Sequence, residues 1–157
     1  MVPDMSIEAW TQSGWLREHP TQRAEIEHLV SVAEGDLASA ADASADPELR
    51  FEYAYNAALK ACLIALYAER RRPGRMPDVH HKIIRSLPLT LGGAREVEAD
   101  YLDACRERRD RLGEIGRAGV GPEDAEALRL FAVELHADLA AWMQAQHPEF
   151  AAQADPE

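Results

Sequence analysis

At 157 residues with 46% apolar side chains, the chain has the size for one domain with a real core, because a domain of this length buries roughly two-thirds of its unfolded surface. No apolar run approaches the roughly 20 residues of a membrane span, and the start, MVPDMSIEAW, has neither the basic region nor the apolar stretch of a signal peptide, so the expected location is the cytoplasm. A formal charge of −11 excludes a chain that is basic throughout, but the charge is uneven: from Arg70 to Arg117 twelve Lys and Arg face eight Asp and Glu, and the rest has five against twenty.

The first element in chain order is a short helix around Ile7 to Arg17, within residues 1–20, carrying Trp10, Trp15 and Leu16 onto the outside of the main body. A long amphipathic helix follows from about Thr21 to Ala41, where Ile26, Val30, Ala33, Leu37 and Ala40 recur at helical steps. Asp46-Pro47 is a start signal for the next, a capping residue followed by proline in the first turn. Its centre, AYNAALKACLIALYA, is apolar on nearly every face and predicts the buried central helix, ending near Arg70. The two prolines and the glycine of RRRPGRMP predict a loop, then a short helix from Asp78 to Leu87.

The fourth long segment, Arg95 to Ile115, aligns Val97, Tyr101, Cys105, Leu112 and Ile115 in a narrow arc. The fifth, after GVGP, opens with Glu123 and Asp124 where the helix dipole favours acids and carries Leu128, Ala132, Leu135, Leu139 and Trp142 to about Gln146. No convincing strand appears. The fold expected is all-α, an antiparallel four- or five-helix bundle over 21–150 with the extra N-terminal helix and a disordered tail over 151–157. Cys62 and Cys105 sit beside apolar neighbours in helical patterns and are expected as reduced core residues. No zinc spacing is present, and neither a metal nor a cofactor is expected.

Of the 17 basic residues 15 are arginines, whose planar fork suits phosphate recognition. A GC-rich coding bias accounts for that usage but not for the clustering in RERRDRLGEIGRAG. On a helical wheel Arg106, Arg109, Asp110 and Gly113 share one flank beside the apolar arc. Arg106 and Arg109, three residues apart, can grip one phosphate or carboxylate together, while Asp110 orients an arginine or accepts a proton. The bland alternative is a solvated helix face with salt bridges of ~0–1 kcal/mol each. Arg108 falls inside the apolar arc and must snorkel or face a partner subunit's carboxylate. His80 and His81 in PDVHHKIIR suit a general base, a phosphate contact or a metal ligand, against capping or loop packing as the plain reading. Adjacent residues point about 100° apart on a helix, so a single one would act. His19, His28, His136 and His147 match no cluster.

Four blocks in order, DPELRFEYAYNAALKACLIALYAERRRP, HHKIIRSLPLTLG, YLDACRERRD and RAGVGPEDAEALRLFAVELHADLAAWMQAQHPEF, resemble those of a bacterial HEPN-domain protein over about residues 21–150. The resemblance implies a dimerising helical bundle. Many members of the family are metal-independent ribonucleases of toxin–antitoxin and defence systems, and others are inactive binding or scaffolding modules. Catalytic members carry an arginine, a polar residue directly after it and a histidine several residues on. Arg109 and Asp110 match the first two, and Glu114 stands where the histidine belongs. A carboxylate with a pKa near 4.3 is a weak base and already deprotonated at neutral pH, so it replaces an imidazole poorly.

Three readings follow for the chain. It is a homodimer binding RNA, a nucleotide or a phosphorylated ligand through Arg106, Arg109, Asp110 and His80 or His81 with little or no cleavage; or a ribonuclease using Arg109 and Asp110 in which His80 or His81 supplies the imidazole; or an interaction protein paired with a nucleotidyltransferase-type partner, its acidic flanks repelling RNA.

Overall fold

The computed structural model describes residues 6–115 and 119–152, with the backbone alone over 112–115. Helix α1 spans Ile7–Ser13, where the Ser6 hydroxyl accepts the Ala9 amide at 3.1 Å. It stops at Gly14, whose φ of 87° is left-handed backbone that glycine adopts without strain. The helix expected to reach Arg17 therefore ends early. Leu16–Glu18 (β1) instead pairs antiparallel with Arg71–Pro73 (β2), which corrects the expectation of no strands and of a loop throughout RRRPGRMP. Three residues per strand are too few to print a two-residue period in sequence. The ribbon is held by tertiary packing of Trp10 and Leu16 against Leu66.

Helix α2 spans Arg23–Ala40 and α3 spans Pro47–Ala68. The Asp46 carboxylate caps α3 by accepting the Glu48 amide at 3.0 Å, with Pro47 in the first turn as the sequence signals. The short helix expected over 78–87 is two helices, α4 (Val79–Arg85) and α5 (Leu87–Thr90). The break follows from Pro88, which has no amide to continue the ladder. A 3₁₀ turn at Gly93–Arg95 leads into α6 (Glu96–Ile115), and α7 runs over Pro122–Gln146. Asp124 secures the start of α7 by accepting the Gly121 amide at 2.9 Å.

After α7 the chain folds back. Phe150 and Ala151 are buried, and the Arg23 guanidinium donates to the carbonyls of Glu149 and Ala151, each at 2.7 Å. The stretch expected to be disordered from 151 is thus folded at its first residue; residues 153–157 lie outside the described ones.

Side-chain pairs give the direction of each helix. Arg50 reaches the Ala40 carbonyl, Lys60 meets Asp36, and Thr21 reaches the Tyr67 carbonyl, so α2 and α3 are antiparallel. Arg108 with Asp124, Tyr101 with Phe131 and Arg95 with Asp138 make α6 and α7 antiparallel as well. Arg50 with Glu126, Ala57 with His136 and Glu69 with His147 show that α3 and α7 run the same way. The molecule is a mostly helical bundle, antiparallel between consecutive long helices, with one small two-stranded sheet.

The core sits where the sequence places it. Ala54, Ala57, Ala58, Ala61 and Ala65 of α3 are fully or almost fully buried, and their small side chains let α2 and α7 approach closely. Ile26, Ala33 and Ala40 enter from α2, and Leu128, Ala132, Leu135 and Leu139 from α7. Cys62 and Cys105 are free and buried; burial pushes their thiols up to about 12 and about 11, which keeps them protonated and inert. No helix among the described residues is long and apolar enough to cross a membrane.

Candidate functional site

Helix α6 turns a different face inward from the one its large apolar residues predict. Val97 is 75% exposed and Tyr101 38%, while Ala99, Leu102 and Cys105 are buried. The inward line of Ala99 and Leu102 continues at helical steps to Arg106 and Arg109. These arginines are therefore not on a flank: they lie on the core-facing side of the C-terminal half of α6, toward Glu52 and Tyr55 of α3 and the histidines of α4. Of the expected arc Cys105 is buried, Val97 and Tyr101 are the departures, and Leu112 and Ile115 lie outside the described side chains; a valine and a tyrosine outweigh an alanine in any hydrophobic count, whereas here Ala99 is the residue buried.

The Arg109 guanidinium donates from Nε to Glu52 Oε1 at 2.9 Å and lies 5.1 Å from the centre of the Tyr55 ring, a cation over the negative face of a π system. Arg106 donates from Nε to Asp103 Oδ1 at 2.8 Å. Asp110 stands between the two, 3.4 Å from Arg106 and 3.6 Å from Arg109.

His80 and His81 diverge as adjacent helical residues must. His80 Nδ1 is 3.2 Å from the Tyr55 hydroxyl, while His81 Nδ1 is 3.0 Å from Asp103 Oδ1. Asp103 also accepts from Arg85 at 3.4 Å, and Arg85 donates to Asp100 at 2.6 Å. The structure thus gathers Arg106, Arg109, Asp110 and His80 around Tyr55 and turns His81 aside into an ion-pair network. Glu114 lies outside the described side chains. Arg108 pairs with Asp124 of its own chain at 3.2 Å and also donates to the Gly119 carbonyl, with the Phe51 ring beneath it.

Glu52, Tyr55, Arg85 and Asp103 are parts of this arrangement that sequence reading missed. The available signal was spacing: Glu52 and Tyr55 are three apart on one helix, as are Asp103 and Arg106 on another. A helical wheel alone does not reveal which faces meet.

The electrostatics define what the imidazole can do. Burial lowers the pKa of His80, and the Arg109 charge lowers it further. Burial raises that of Tyr55 well above the usual phenol range despite the nearby Arg109 and Arg106. His80 is therefore neutral and Tyr55 protonated at pH 7. The Tyr55 hydroxyl occupies Nδ1 in either tautomer of the neutral ring. We expect the His80 ring protons in an NMR titration to show a midpoint below 6.5; a midpoint at or above that value contradicts this environment.

Each arginine also carries a short contact to a carboxylate and a longer one. The contacts to Glu52 and Asp103 are short, whereas Asp110 and Glu107 sit 3.4–3.8 Å away with side chains 55% and 56% exposed. An incoming anion would displace the latter pair first, since exposed ion pairs contribute little. No group of three or more His, Cys, Asp or Glu suited to a metal ion occurs among the described residues. An apolar groove of about 420 Å³ between α2, α7 and the C-terminal turn includes none of the residues of this cluster. Comparison of the chain with protein-family models, curated proteins and solved structures gives no match.

Proposed function

We propose that the protein is an HEPN-like homodimeric module of a toxin–antitoxin or defence system that binds RNA, a nucleotide or another phosphorylated ligand through Arg106, Arg109 and His80, with little or no cleavage. The observation that carries this reading is the meeting of two arginines and a neutral, Nδ1-occupied imidazole around Tyr55. Two guanidinium forks beside an imidazole are a set that complements phosphate oxygens. Metal-free RNA cleavage needs a base for the 2′-hydroxyl, and the imidazole of His80 has one of its two ring nitrogens already engaged by Tyr55.

A second reading is favoured by the same residue. His80 lies beside Arg109 and would supply the imidazole that Glu114 does not, so a ribonuclease would use Arg109, Asp110 and His80 together once Tyr55 released Nδ1. Binding of a nucleoside monophosphate, followed through the His80 ring resonances, tests the first reading. Arg109→Ala is expected to weaken it tenfold or more, in line with the loss of a charge-assisted hydrogen bond of about 1.5–3 kcal/mol; unchanged affinity would remove the cluster as the site.

A further inference from the structure

Most of this chain's arginines are matched to its own carboxylates. Nine of them among the described residues, from Arg23 to Arg129, lie within ion-pair distance of an Asp or Glu. Of the other described arginines, Arg111 stands on α6 and four gather at one place, the β1–β2 ribbon. Arg17 and Arg72 stand directly opposite each other in its register, and neither they nor Arg75, just beyond the ribbon, form an ion pair among the described residues. Arg71 is held by neutral acceptors only, the Thr11 hydroxyl at 3.1 Å and the carbonyls of Glu69 and Arg70 at 3.2 Å, so its charge is uncancelled. Glu18 faces Arg71 across the ribbon without pairing with it.

Like charges directly opposite on paired strands are destabilising, and a two-stranded ribbon of this length is marginal to begin with. Leu16 is buried on the side of the ribbon that faces Trp10 and Leu66, so strand alternation turns Arg17, and Arg72 opposite it, to the other side. Alongside stand Trp15, 39% exposed, and the Lys82 ammonium of α4, 3.5 Å from the centre of the Trp15 ring. The Trp15 carbonyl accepts the Gly74 amide at 2.9 Å, which ties this indole to the residue before Arg75. Four arginines, a lysine and a partly open indole thus cluster about the ribbon, Arg17 and Arg72 on one side of it and Arg71 on the side of Leu16, in a chain that is otherwise strongly acidic.

We propose that the β1–β2 ribbon with Lys82 is a binding site for the phosphodiester backbone of single-stranded nucleic acid, separate from the Arg106–Arg109 cluster. Four of the five cations are arginines, whose forks fit phosphate oxygens. The Trp15 indole packs against Trp10 and under Lys82, so contacts to the phosphate backbone rather than base stacking carry the binding. The acidic flanks are screened beyond roughly 10 Å at 0.1 M salt, whereas contacts at the ribbon are not.

A fluorescein-labelled 12-nucleotide oligouridylate, followed by anisotropy, tests this on the full chain. With five phosphate contacts, affinity should fall about a hundredfold between about 50 and 200 mM salt; with two it should fall only about sevenfold, and that is the expectation for the Arg17→Gln, Arg72→Gln, Arg75→Gln triple variant. The triple variant should also bind at least tenfold more weakly than the parent at the lower salt, with helical circular dichroism unchanged. Should it fail to fold, Arg75→Gln alone, outside the strand ladder, must still reduce both affinity and salt slope. The triple variant should keep the parent's affinity for a nucleoside monophosphate, which the Arg106–Arg109 cluster binds. The proposal is overturned by absence of binding at low salt, by variants matching the parent, by Arg109→Ala alone abolishing binding, or by polyglutamate of equal charge competing as well as oligouridylate, which would assign the ribbon to an acidic protein.

Discussion

Replacing Tyr55 with alanine is expected to cost about 3–5 kcal/mol of stability, the range for truncating a buried aromatic ring. Tyr55 is fully buried and is among the largest such side chains in the protein. Its ring packs in the alanine-rich middle of α3 and lies under the Arg109 guanidinium, and its hydroxyl reaches His80. Tyr55→Phe separates these roles: it keeps the ring and loses one hydrogen bond, at about 1 kcal/mol. With the phenol gone His80 Nδ1 loses the partner that engages it. Urea unfolding of the two variants checks the energies. Near-equal losses would show that the hydroxyl, not the packed ring, carries the stability.

Asp103→Ala is expected to destabilise by about 2–3 kcal/mol at pH 7, below the 3–5 kcal/mol typical of breaking a fully buried pair because its partners are partly exposed. The Asp103 side chain is 11% exposed and accepts from His81, Arg106 and Arg85, so removing it leaves two guanidinium groups without their most buried counter-charge. Burial alone would raise the Asp103 pKa, but the hydrogen bonds and charges of His81 and Arg106 outweigh it and hold the carboxyl below the usual range. A depressed folded-state pKa means stability that is fully present above the unfolded value near 3.9 and lost as pH falls through the folded value. The gap between the parent and Asp103→Asn in urea unfolding should therefore be wide at pH 7 and narrow below pH 4. A gap that does not change with pH would mean that Asp103 acts by packing rather than by charge.

The long helices and most of the core were legible in the sequence because helical periodicity and end signals act locally. Asp46-Pro47 starts α3 where it reads as a start, and the Leu128–Leu139 stripe of α7 is buried as its spacing requires. The ribbon was not legible, since three-residue strands exist only through the partner that pairs with them. The inward face of α6 was misread for a related reason: which side of a helix is buried depends on what it meets. At its C-terminal half α6 meets Glu52 and Tyr55, so the face that carries Ala99 and Leu102 ends in Arg106 and Arg109. The residues picked out along α4 and α6 did converge in part. His80 meets Tyr55 beside Arg109 and His81 shares Asp103 with Arg106, a division that follows from the 100° between neighbours but whose direction the sequence does not state.

The central claim is that this cluster binds a phosphorylated ligand without cutting RNA. Incubation of the purified protein with mixed RNA, beside its Arg109→Ala and His80→Ala variants and without added metal, tests it most directly. The account predicts no cleavage that depends on Arg109 or His80. Cleavage by the parent that Arg109→Ala and His80→Ala both abolish would contradict it and make His80 the imidazole of a ribonuclease.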